Sequence, residues 1–81
     1  MNFDYQMLGR LVSDCDYYLM TGCEKHLWSG KVEEQIEKMR EIYNTLQEKP
    51  EWLTLGKIDW YEKAMKLLKN LKERAKNYGN Q

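Results

Sequence analysis

The chain has one proline, one histidine, one phenylalanine and two cysteines among its 81 residues. Each scarcity excludes something. A single proline, Pro50, leaves room for long uninterrupted helices on either side of it. Cys15, Cys23 and His26 lack a fourth zinc ligand unless Asp14, Asp16 or Glu24 supplies one, and the seven-residue gap between the cysteines matches no zinc spacing. No metal or other cofactor is therefore expected, and the two thiols are expected to stay free, one buried as a small hydrophobe. No apolar run approaches the roughly 18 residues of a membrane span. Met1-Asn2-Phe3-Asp4 has neither the basic nor the apolar part of a secretory leader, so an intracellular protein is expected. Net charge is zero, which argues against a general nucleic-acid binder and against a massed-carboxylate mimic of DNA.

What the chain has is charge order and helical period. Residues 1–56 carry six basic and ten acidic side chains, a balance of −4, and residues 57–81 carry seven and three, a balance of +4. The spacing predicts an all-α fold, a small three-helix domain over residues 1–81, with helices at about 4–20, 32–47 and 55–77. In the first, Asp4 is the expected cap; Leu8, Leu11, Val12, Cys15, Tyr18 and Leu19 share a face, and Gly22 can take the left-handed turn that closes it. In the second, Val32, Ile36, Met39, Tyr43 and Leu46 keep the period. Glu33, Glu34, Glu37, Lys38 and Glu41 oppose them, with Glu34 and Lys38 spaced for an ion pair, and Pro50 follows the helix. Thr54 is the expected cap of the third helix, with Leu53 packing on Ile58, and Gly79 its terminator before a frayed tail. This helix carries two apolar rows, Ile58-Tyr61-Met65-Leu68 and Trp60-Ala64-Leu67-Leu71, more than two partner helices cover. Self-association into a homo-oligomer is the expectation.

Residues 23–31 follow neither period and form an irregular aromatic loop between the first two helices. Asp14, Asp16 and His26 invite an acid–base reading, but the two aspartates project about 200° apart on an ideal helix and cannot converge. No Gly-rich phosphate loop or nucleophile elbow is present, so no enzyme is expected and no catalytic residue assigned. The loop is read instead as a packed junction, with Leu27 and Trp28 filling it and its exposed edge touching a partner. Trp28 and Trp52 are expected to plug the space between helices, while Trp60, off the main row, is an exposed interface anchor. The basic side chains of the last helix, Lys57 to Lys76, are spread around it and read as a mostly solvated face.

Several blocks carry a family resemblance: Asp4-Tyr5-Gln6-Met7-Leu8-Gly9-Arg10-Leu11, Asp14-Cys15-Asp16-Tyr17-Tyr18-Leu19, Glu24-Lys25-His26-Leu27-Trp28-Ser29-Gly30 and Lys49-Pro50-Glu51-Trp52-Leu53-Thr54. Over roughly residues 4–65 the chain resembles the small "large polyvalent protein-associated" domains of phages and conjugative elements. The resemblance implies delivery with incoming DNA, a setting of counter-defence, and the cytoplasm of a host cell as location. It supplies no catalytic residues.

Three functions are compatible with these readings. The first is a non-enzymatic inhibitor that binds and blocks a host immune protein. The second is an oligomer whose pocket, built around Lys25, His26 and Trp28, sequesters a nucleotide signal. The third is a nucleic-acid accessory protein using the basic last helix. No membrane partner is expected. The candidate partner-binding residues are Tyr17, Lys25, His26, Trp28 and Trp60.

Overall fold

A computed structural model describes the backbone of residues 2–79 and the side chains of residues 3–75. The fold is all-α. Helix α1 spans Asn2–Thr21, α2 Val32–Thr45 and α3 Leu55–Gly79; two short 3-10 turns, Glu24–His26 and Trp28–Gly30, lie between α1 and α2. No strand occurs among the described residues. Helix α1 begins two residues before Asp4, which sits in its first turn instead of capping it. Its stop is the one the spacing predicts: Gly22 adopts φ +72° and donates its N–H to the Tyr18 carbonyl at 2.7 Å. Helix α2 ends at Thr45, two residues short of expectation, with Lys49 Nζ donating to the Leu46 carbonyl just past its end. Helix α3 opens on the predicted cap, where Thr54 Oγ1 accepts the Lys57 N–H at 3.0 Å, and it runs through Gly79, the last residue whose backbone is described. The expected frayed tail at residues 80–81 and the Lys76 side chain lie outside the described residues.

The direction of each helix follows from its pairings. Tyr5 at the start of α1 donates to the Glu48 carbonyl beyond the end of α2, and Gln35 near the start of α2 reaches Leu11 and Cys15. Arg40 of α2 meets Asp59 and Glu62 early in α3, whereas Glu33 meets Lys69 later in it. Helix α2 therefore runs against both neighbours, and α1 and α3 run alongside each other. Tyr61 Oη joins those two by donating to Asp16 Oδ1 at 2.7 Å, and burial, then Asp16, push the phenol above its usual range.

One continuous core forms from the predicted faces. Leu8, Leu11, Cys15 and Tyr18 of α1 meet Val32, Ile36, Met39 and Tyr43 of α2 and Ile58, Tyr61 and Met65 of α3. Leu53 is buried beside Ile58, and Val12 and Leu68 pack on the cluster from its edge. Cys15 is the buried thiol, its Sγ 3.4 Å from Met39 Sδ; burial pushes it up to about 12, so it stays neutral, and Cys23 is half-buried and also free. Two tryptophans depart from expectation. Trp52 is 50% exposed, laid over the helix beside Gly9, and Trp28 is 41% exposed. Aliphatic side chains and tyrosines already fill the space between the helices, leaving no volume for two indoles.

Charge pairs stitch the outside of the α2–α3 seam. Arg40 bridges Asp59 and Glu62 (2.8 Å to Glu62), and Lys66 reaches the same Glu62 at 3.0 Å. The Glu34–Lys38 pair anticipated from spacing does not form: Glu34 pairs with Lys31, while Lys38 turns to Glu41 and lies over the Trp28 ring at 5.3 Å.

Two predictions test this packing. Ile36→Ala, at a position with no exposed surface, should destabilise the protein by about 2–4 kcal/mol in denaturant unfolding; an unchanged unfolding midpoint would refute the assignment. Hydrogen bonds from Arg40 and Lys66 lower Glu62 from 4.5 to about 2, so its contribution is complete above pH 4.5 and is lost as pH falls toward 2. The stability advantage of wild type over Glu62→Gln should therefore shrink across that window and stay constant from pH 6 to 8.

Candidate binding groove

The irregular loop is built from local geometry and one buried amide. The Leu27 N–H donates to the Glu24 carbonyl (3.1 Å), Gly30 N–H to Leu27 (2.8 Å) and Lys31 N–H to Trp28 (3.2 Å), closing two tight turns in succession. Ser29 (φ +55°) and Gly30 (φ +69°) both take left-handed backbone, which reverses the chain into α2. Left-handed backbone is unfavourable for serine, so tertiary contacts must hold it. Gln35 provides them. It is fully buried, and its Oε1 accepts the Trp28 N–H while its Nε2 donates to the Leu11 carbonyl at 2.8 Å and lies 3.7 Å from Cys15 Sγ. Leu27 inserts into the core at 5% exposure, and Trp28 is left at the rim with its ring half in water.

The result is a groove along the outer flank of α1, closed on its far side by the loop and the end of α2. One cleft of about 340 Å³ is lined by Met7, Arg10, Asp14, His26 and Trp28, among others. A second, of about 280 Å³, is also lined by Trp28 and lies between Phe3 and Met7 of α1 and Lys38, Ile42 and Thr45 of α2. Phe3, Met7, Arg10 and Asp14 come to the groove because they recur at helical spacing on α1. Trp28 and Met7 line both clefts, and Lys38 lies over the Trp28 ring as a cation–π neighbour.

Of the candidate residues, Tyr17 and His26 meet edge to face with ring centroids 4.9 Å apart, and His26 and Trp28 share a cleft. Lys25 is exposed in the same 3-10 turn as His26. Trp60 stands apart: it lies on α3, 51% exposed, against Tyr61 and under Lys57, and no α3 residue lines the groove. The two aspartates diverge, Asp14 toward the groove and Asp16 toward Tyr61. Among the described residues no three His, Cys, Asp or Glu side chains gather in a way that could hold a metal ion. Phe3, Met7, Arg10 and Gln35 are contributors that sequence reasoning missed. For the first three the signal was available as a second helical row on α1; for Gln35 it was its place three residues after Val32 and four before Met39.

The fold and groove define a small all-α domain with a partly apolar cleft beside an aromatic turn held by a buried amide, and no helix among the described residues is long and apolar enough to cross a membrane. The chain belongs to the family "large polyvalent protein-associated domain 11", whose model matches residues 1–65, ending midway along α3. The family is associated with the polyvalent proteins of mobile elements. No curated protein and no solved structure matches the chain.

Gln35→Leu should free the loop while leaving the helices formed. Loss of a buried amide that satisfies two backbone groups should cost about 1–3 kcal/mol, and the Trp28 amide should lose most of its hydrogen-exchange protection. Full retention of that protection would mean that the loop is held by its own turns alone.

Proposed function

We propose that this protein is a non-enzymatic accessory of a phage or mobile element that uses the α1–loop groove to bind and block a protein of the host's defence. The observation that carries the reading is the Trp28 ring. It is half exposed and lines two clefts, yet its backbone is tied to α2 by a buried amide. A large ring held in place before binding makes a good interface anchor, because little freedom is lost when the partner arrives. Phe3, at 72% exposure, and Met7 extend the apolar contact, while Arg10, Asp14, Lys38 and Glu41 give the rim charges of both signs that can set the partner's orientation. Family membership supplies the setting, a protein that travels with mobile DNA.

A second reading, sequestration of a nucleotide signal, draws on the 340 Å³ cleft, where Arg10 and His26 stand beside the Trp28 ring. The nucleic-acid reading has less support, since Lys66, Lys69 and Lys72 of the basic helix are each engaged with a carboxylate.

Transfer of the parent element, or phage plating, into recipients with and without a defence system tests the proposal. Wild-type protein should raise success only in the defended recipient. Trp28→Glu should abolish the effect with little change in melting temperature, because the ring is already half in water. A melting temperature raised by cyclic or adenosine-derived nucleotides and unmoved by the partner would favour the second reading. Steeply salt-dependent binding to DNA or RNA would favour the third.

A further inference from the structure

Helix α3 carries a second surface, remote from the groove. Trp60, Ala64, Leu67 and Leu71 recur at alternating four- and three-residue steps, the knob spacing of a coiled-coil seam. Ile58, Tyr61 and Met65 occupy the buried side of the same helix, so this row faces outward, with Trp60 51%, Leu67 61% and Leu71 52% exposed. The cations of α3 divide along the same line. Lys66 pairs with Glu62 at 3.0 Å, Lys69 with Glu33 at 3.2 Å and Lys72 with Glu24 at 4.0 Å. Lys57, Lys63 and Arg74, which border the outer row, make no ion pair with a carboxylate of the described residues, and Lys57 lies over the Trp60 ring at 4.7 Å. Leu67, Leu71 and Arg74 lie beyond residue 65, where the family match ends, and Lys57, Trp60, Lys63 and Ala64 lie within it.

We propose that the outer row of α3 docks an acidic amphipathic helix of a partner protein, its apolar seam on Trp60, Leu67 and Leu71 and its carboxylates beside Lys57, Lys63 and Arg74. Charge decides the occupant. A second copy of this chain would meet cation with cation: Lys57 and Arg74 continue the seam spacing at the two ends of the row, so parallel pairing sets each beside its equivalent, and antiparallel pairing with Leu67 opposite Leu71 brings each Lys63 within a residue of the other copy's Arg74. Such like-charge juxtaposition opposes the homo-oligomer that the two apolar rows suggest when charge is ignored. Nucleic acid would use the cations and one indole but offers nothing to two leucines. A membrane surface calls for a broad apolar face, and this row is a single side chain wide.

The test uses the full-length chain and a synthetic helix with Leu at its seam positions and Glu flanking them. Titration should shift the Trp60 indole N–H resonance and leave that of Trp28 in place. Lys63→Glu and Leu67→Asn should each weaken binding by about tenfold without lowering the melting temperature, and added salt should weaken it further. Trp28→Glu should bind the helix as wild type does, which separates this surface from the groove. Equal binding of a Lys-flanked helix would overturn the proposal, as would the absence of a Trp60 shift. So would a larger Trp60 shift with single-stranded DNA or phosphatidylserine vesicles, or a dimer mass in light scattering that Leu67→Asn abolishes.

Discussion

The buried amide of Gln35 is the contact on which the arrangement of this protein depends. It is the only amide or charged side chain among the described residues that is fully withdrawn from water, and it reaches all three elements that make the groove. Helix α2 carries it, the Leu11 carbonyl of α1 takes one of its protons, and its oxygen holds the Trp28 N–H of the loop. A buried amide tolerates few geometries, because each unsatisfied group costs about 1–3 kcal/mol. Apolar packing alone would let the loop settle in several positions. The amide selects one, and that position keeps Ser29 and Gly30 in left-handed backbone and sets the Trp28 ring on the rim.

Charge order along the sequence has a related consequence. The acidic first part and basic last part of the chain look like a dipole when written out, yet α2 runs against α3 and lays one on the other. Glu33 finds Lys69, and Arg40 finds Asp59 and Glu62. The Glu33–Lys69 pair, like Glu24–Lys72, joins an acid of the first part to a base of the last, whereas the Arg40 pairs join charges in the opposite order. The α3 cations Lys57, Lys63 and Arg74, which meet no carboxylate of the described residues, border a row of apolar side chains. The groove of α1 and the outer row of α3 thus use different elements and differ in chemistry, the first bordered by charges of both signs and the second by positive ones.

Much of the scaffold was legible in the residues. Helical spacing located the inward faces of all three helices, since the same apolar positions that repeat in the sequence are those removed from water. Gly22 and Thr54 marked a stop and a start because each has local chemistry that works in any context. The candidate site was legible only in part. Tyr17, His26 and Trp28 were grouped from their nearness in sequence and do lie together, but Trp60 belongs to another face. Tryptophan was the least legible residue type: Trp28 and Trp52 are large and apolar, yet the core was already full of Leu, Ile, Met and Tyr.

By itself, the sequence determined the all-α class, the three inward faces, the irregular segment between the first two helices and the membership of a mobile-element family. These follow from local rules, periodicity, capping and shared motifs, that act over a few residues at a time. Tertiary structure alone decided that Gln35 is core and Trp28 is surface, that Phe3, Met7 and Arg10 share a groove with the loop, and which lysines of α3 meet a carboxylate. Many of those outcomes depend on residues far apart in sequence, 24 positions for Gln35 and Leu11 and 36 for Glu33 and Lys69, where the available volume and the need to satisfy every buried polar group override the preference of any single side chain.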